Sequence, residues 1–222
     1  MTLKMLYCYY TALVASFLAS CSLYKQKNVG PWLKLFCPFL SLTILVEGYG
    51  LYLSMNNITN IWVYNIFCAI EYCFYLYVIS CIIHNSKMRS ITRYAFALYA
   101  PIAIIDVLLT PKTSFASLEF SLGSVMIIVC CVYYFFELFR YPKPVNLARE
   151  PSFWICLGLL IFYCGNLPYI GLMMFFAAVS QRIINALALL LIIVNIVMYT
   201  LFIIAFICRL KIGQRVSASL NS

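Results

Sequence analysis

Seven stretches of this chain run for roughly twenty residues almost without a charged side chain, and a helix needs about 20 apolar residues to cross the roughly 30 Å hydrocarbon layer of a bilayer. They cover about 5–24, 32–54, 61–83, 94–110, 115–139, 152–178 and 183–208. The fourth is the shortest, and Pro101 falls inside it. Strands do not account for these runs. Transmembrane strands alternate apolar and polar residues, whereas residues 186–194 are apolar on every face. Composition agrees: 65% of residues are apolar and only 9% charged, against about 25% charged in a typical soluble domain. Such a chain has too little charge to cover a soluble globule and too much apolar surface to stay disordered. The expected class is an all-α integral membrane protein, one domain of seven transmembrane helices over residues 1–222.

The charges give these spans a direction. Lys25, Lys27 and Lys34 lie between spans one and two, and Lys87, Arg89 and Arg93 between three and four. Arg140, Lys143 and Arg149 lie between five and six; Arg209, Lys211 and Arg215 follow span seven. Twelve of the fifteen basic residues therefore collect on one face, leaving Lys4, Lys112 and Arg182 on the other. Basic loops stay cytoplasmic, so the expected arrangement has the N-terminus out and the C-terminus in. The net charge of +9 is then a matter of topology. It forms no single basic face, so the bilayer is the expected partner and nucleic acid is not. A competing reading takes Lys4, the apolar run and Leu18-Ala19-Ser20-Cys21 as a lipoprotein signal cleaved before Cys21. It inverts every later segment, against the charge pattern.

Several chemistries lack their residues. His84 is the only histidine, whereas intramembrane zinc hydrolases need several histidine ligands. Cys81 lies one turn from it, which most simply reads as an interfacial histidine beside a buried thiol. No G-x-S-x-G, H-E-x-x-H or phosphate-cradling glycine loop occurs. Span seven has no internal lysine to carry retinal. The eleven cysteines lie within or at the ends of spans, form no C-x-x-C and are odd in number. They read as small apolar fillers rather than a disulfide framework. Asn57-Ile58-Thr59 matches a glycosylation sequon on too short a loop. No catalytic residue, metal or cofactor is expected. Connecting segments reach only about a dozen residues, so a soluble output domain is expected on another chain.

Acids in hydrocarbon are the exception to this apolar pattern. Each costs at least about 2.5–3.5 kcal/mol to insert, which marks it as a site by default. Five of the six acids fall within spans: Glu47, Glu71, Asp106, Glu119 and Glu137. Glu137, one turn from Arg140, reads as an i,i+3 surface pair. Asp106 and Glu119 lie near the outer ends of spans four and five, solvated or lining a mouth. Glu47 and Glu71 lie about 10 Å and 15 Å below the outer ends of spans two and three, at about 1.5 Å per residue. Thr43, Glu47, Gly50 and Ser54 share one face, as do Tyr64, Cys68, Glu71 and Tyr75. At similar depth span six offers Tyr163, Asn166 and Tyr169, with Pro168 expected to bend it. Span seven offers Asn195 and Tyr199. No basic residue reaches this depth. The acids are therefore expected either neutral and hydrogen-bonded to Tyr and Asn, or visited by a cationic ligand. Glu47, Glu71, Tyr75, Asn166 and Asn195 form the candidate ligand-binding set. The alternative is that these groups only glue helices together, at under about 1 kcal/mol each.

Two stretches carry a resemblance. Asn65-Ile-Phe-Cys-Ala-Ile-Glu71-Tyr-Cys-Phe-Tyr75 and Glu150-Pro-Ser-Phe-Trp154-Ile-Cys-Leu-Gly158-Leu-Leu-Ile-Phe-Tyr163-Cys-Gly165 resemble a group of small seven-helix proteins of bacterial inner membranes, seen particularly among Bacteroidetes. That group is similar to the seven-helix sensor regions that precede histidine kinases, although the kinase region is missing here. The resemblance covers most of the chain in topology and some forty residues in pattern. It implies a multi-pass protein of the bacterial inner (plasma) membrane, non-enzymatic, that binds a small molecule or lipid. It also implies signalling through a histidine kinase or other separate protein. It transfers no catalytic residues; Glu71 and Trp154 are pattern positions. Two other functions compete. One is an acid-dependent hydrolase resembling lysoplasmalogenases, disfavoured because span seven holds no acid. The other is a proton-coupled transporter with Glu71 as proton site, disfavoured because no inverted repeat is visible.

Overall fold

A computed structural model describes residues 3–26, 29–140, 147–173 and 180–220, with the side chains of all of these except 3, 169–173 and 211–220. All its regular structure is helical: α1 (Leu3–Ser22), α2 (Pro31–Lys34), α3 (Phe36–Met55), α4 (Ile61–Ile82), α5 (Ser86–Leu109), α6 (Ser117–Arg140), α7 (Pro151–Met173) and α8 (Gln181–Leu220), with 3-10 turns at Leu23–Lys25 and Leu147–Arg149. Seven segments are long and apolar enough to cross a membrane, α2 and α3 counting together as Pro31–Met55. The chain is consistent with a multi-pass integral membrane protein. Lys27, Lys143, the end of span six and the Tyr169 side chain lie outside what is described.

The helices differ from the expected spans where local chemistry intervenes. Span two begins with a break at Leu35, between α2 and α3. Pro38 has no N–H to give the Lys34 carbonyl, and its ring crowds that oxygen, so the ladder stops there. Span four is longer than expected at 24 residues. Its first two turns are too charged to count as apolar, yet Asn85 caps them. The Asn85 Oδ1 accepts from the Lys87 N–H at 3.0 Å and the Met88 N–H at 3.4 Å. Pro101 does not interrupt this helix; one lost bond is tolerable inside a transmembrane helix, where neighbours re-satisfy the freed carbonyl. The last helix continues past its apolar part to Leu220.

The backbone falls into two compact units, Met1–Ser41 with Leu138–Ser222, and Leu42–Glu137. In the first, α8 packs against both α1 and α7. The aromatic ring of Phe36 sits 5.4 Å from Phe202 and 5.5 Å from Phe206 between centroids. Gly158 lets α7 approach α8 at Met198 and Leu201, and Gly165 does so at Val194. Small residues at such crossings are how helices gain dispersion contacts in lipid. The second unit holds the rest of α3 with α4, α5 and α6. Its buried side chains include Tyr72, Tyr75, Leu76, Ile79, Tyr99 and Ile127. On α5 only Thr92, Tyr99 and Ala103 are buried. Ile91, Leu98, Ile104, Ile105 and Leu108 point outward, as suits a helix bathed in hydrocarbon.

Candidate functional site

All five membrane-depth acids belong to the second unit, and their partners sort them into two kinds. Asp106 and Glu137 serve the backbone. The Glu119 N–H, in the first turn of α6, donates to Asp106 Oδ2 at 2.8 Å. The His84 and Asn85 N–H groups donate to Glu137 Oε2 at 3.0 Å and Oε1 at 2.6 Å. These amides lie between or at the start of helices, where no intrahelical acceptor exists, so a carboxylate is the natural partner. Glu137 is therefore a buried residue that closes the α4–α5 turn. It is not the surface group expected from its i,i+3 spacing to Arg140, because the orphan amides of the α4–α5 connection reach it.

The other three acids meet tyrosines. The Tyr64 hydroxyl donates to Glu47 Oε2 at 3.4 Å, and the Tyr99 hydroxyl to Glu119 Oε1 at 3.4 Å. The Tyr75 hydroxyl lies within hydrogen-bonding reach of Glu71. Glu71 is also within electrostatic reach of Glu47 and of Glu119, and the three carboxyls come from α3, α4 and α6 of this unit. The 3.4 Å contacts are longer than the roughly 2.5–3.0 Å of a tight O–H···O bond. Beside them the packing is tight. The Ser124 hydroxyl donates to the Phe120 carbonyl at 2.8 Å and accepts from the Tyr72 hydroxyl at 2.9 Å. The Tyr72 ring lies edge-on to Tyr99 and Phe120, at 5.9 Å and 5.8 Å between centroids.

The basic residues of this unit are His84, Lys87, Arg89, Arg93 and Lys112. His84 precedes α5, the next three fall within its first eight residues, and Lys112 lies in the α5–α6 connection. The Arg89 guanidinium donates to the Ile83 carbonyl, at 3.0 Å from Nε and 2.9 Å from the Nη2 atom. A region of three carboxyls lined by phenol hydroxyls offers spare acceptor oxygens and a negative field, which is chemistry suited to a cation carrying N–H donors. Among the described residues no three His, Cys, Asp or Glu side chains converge as a metal site.

Of the expected ligand set, Glu47, Glu71 and Tyr75 belong to this unit. Asn166 and Asn195 belong to the other. The Asn195 Nδ2 donates to the Leu191 carbonyl one turn back in its own helix at 2.9 Å. Asn166 is buried in α7, and its Oδ1 accepts no hydrogen bond. Neither Tyr99 nor the buried position of Glu119 was legible in the sequence. Tyr64 was legible as part of the Glu71 face, but its partner across the α3–α4 turn was not. Tyr99 and Glu119 lie twenty residues apart on different helices, and no spacing rule pairs them. No protein-family model, no curated protein and no solved structure matches the chain.

Proposed function

We propose that this protein is a non-enzymatic receptor module of the membrane, whose acidic, tyrosine-lined region binds a small amine. The observation that carries the reading is the placement of Glu47, Glu71 and Glu119 in one four-helix unit, with Glu47 and Glu119 each bonded to a tyrosine, while its basic residues sit at a helix start or in connections. Three carboxyls at membrane depth are costly unless neutral or matched by a cation, and a protonated amine lowers that cost by donating its N–H groups to their oxygens. The long tyrosine contacts favour exchange, because each phenol gives up little when a ligand takes its acceptor. The charge alternation supports an N-out, C-in arrangement. The resemblance to bacterial seven-helix sensor regions supports the inner membrane as location and a histidine kinase or similar protein as the recipient of the signal.

The test uses the full chain in lipid nanodiscs with 2-phenylethylamine as probe and its neutral counterpart 2-phenylethanol as control. Calorimetric titration is expected to show saturable binding of the amine alone. Glu71→Gln and Glu47→Gln are each expected to weaken it at least tenfold, while Asp106→Asn, which keeps the α6 cap, binds as the parent does. Equal binding of amine and alcohol, no binding of either, or undiminished binding in both glutamine variants overturns the reading.

A further inference from the structure

We infer that Cys21 and Cys37 are a reversible dithiol–disulfide pair, a modification site that staples the end of α1 to the start of α3. The inference concerns the first unit alone, so its outcome is separate from that of the amine reading.

Cys21 is the penultimate residue of α1 and Cys37 the second residue of α3. The two sulfurs lie 2.9 Å apart, within about 1 Å of the roughly 2.05 Å of a disulfide bond. The remaining gap is shorter than the side chains' own reach, so rotation about their bonds is the motion that closes it. Both thiols are partly exposed, which gives an oxidant access that the buried Cys131 and Cys156 lack. The neighbourhood is built to hold the pair together. The Ser20 hydroxyl donates to the Phe17 carbonyl at 2.7 Å and sits within hydrogen-bonding reach of the Cys37 thiol. The backbone between the two cysteines is anchored at both ends: Leu23, Leu33 and Phe36 are fully or almost fully buried. The Gln26 Nε2 donates to the Leu210 carbonyl at 3.1 Å. Neither sulfur drifts easily from the other when its flanking residues are fixed in this way.

The oxidant is a hydroperoxide. One cysteine, as its thiolate, attacks the peroxide oxygen; the O–O bond breaks, and the cysteine becomes a sulfenic acid as water or an alcohol leaves. The second thiolate then attacks the sulfenic sulfur, forming the S–S bond and expelling hydroxide, which takes up a proton to become water. Two thiols lose two electrons and two protons, and one hydroperoxide takes them up. A small dithiol reverses the bond by exchange.

The experiment treats membranes containing the full chain with a dithiol, removes it, and adds hydrogen peroxide or, in a parallel arm, cumene hydroperoxide. Free thiols are then blocked with a maleimide before proteolysis without reduction. A Cys21–Cys37 linked peptide, 2 Da lighter than its two unblocked halves and lost on renewed reduction, is the expected product. Maleimide labelling of Cys8, exposed on α1, should persist. A product in the peroxide arm alone assigns an aqueous oxidant, and one in the cumene arm alone an oxidant dissolved in the lipid. In Cys37→Ser the sulfenic acid at Cys21 should be trapped by dimedone, and in Cys21→Ser that at Cys37. Because the linked peptide is read on the unsubstituted chain, the result does not depend on either variant folding. Full maleimide labelling of both cysteines after both oxidants, or bonds from either one to other cysteines only, overturns the inference. So does a Cys21–Cys37 bond that no dithiol opens in the folded protein.

Discussion

Tyr72 has little room to yield. Its ring is bracketed by Tyr99 and Phe120, its hydroxyl is bonded to Ser124, and a Cβ built on Gly123 meets the ring at 2.6 Å. Gly123→Ala is therefore expected to lower stability by about 1–3 kcal/mol through overpacking, read from unfolding midpoints in detergent micelles. Gly48 provides the contrast. A Cβ there meets nothing within 4 Å, so Gly48→Ala should be neutral or stabilise α3 by up to about 1 kcal/mol. Gly50, two positions on, differs again: its Cβ falls 2.6 Å from the Tyr64 hydroxyl. Gly50→Ala should push that hydroxyl off Glu47 and lower stability through overpacking. At this scale the depth of Glu71 was readable from a constant helical rise. The difference between Gly48 and Gly50 was not, because it depends on a side chain of α4.

Helix α5 is clasped to α6 at both ends. Glu137 of α6 receives the two amides ahead of α5, and Asp106 of α5 receives the first-turn amide of α6. Two carboxylates at opposite ends fix the relative height of two helices whose apolar surfaces, alike in lipid, would let them slide. Glu137→Ala leaves two turn amides without their acceptor and should cost about 1–3 kcal/mol. Asp106→Ala removes a cap worth about 0.5–2 kcal/mol, most of which Asp106→Asn should keep. The two sites are separated by about 30 Å of helix at 1.5 Å per residue, so the double alanine variant should show the sum of the single losses to within about 0.5 kcal/mol. A markedly smaller sum in denaturant titrations means the clasps act as one unit. The span itself was legible from apolar length, but its true start was not: Lys87, Arg89 and Arg93 lowered the local hydropathy while the Asn85 cap made the same residues helical.

For the whole molecule, the proposed N-out, C-in arrangement has the two chain ends on opposite sides of the bilayer. Reporters fused to the N- and C-termini should therefore be active in different compartments, the C-terminal one in the cytoplasm; two cytoplasmic signals contradict the seven-span arrangement. Tags in the Lys112 connection should follow the N-terminus, and tags beside Lys87 the C-terminus. Crossing the membrane is decided by transfer free energy summed over some twenty consecutive residues, a quantity that belongs to each segment alone. That is why the helical class and the number of spans could be read along the chain. The pairing of Glu137 with the His84 and Asn85 amides, of Tyr99 with Glu119 and of Cys21 with Cys37 depends instead on how each helix is rotated and how deep it sits against a neighbour. In hydrocarbon every apolar face is nearly equivalent, so hydropathy does not set that rotation. Close packing at glycines and a few polar contacts do, and these exist only once the helices have met.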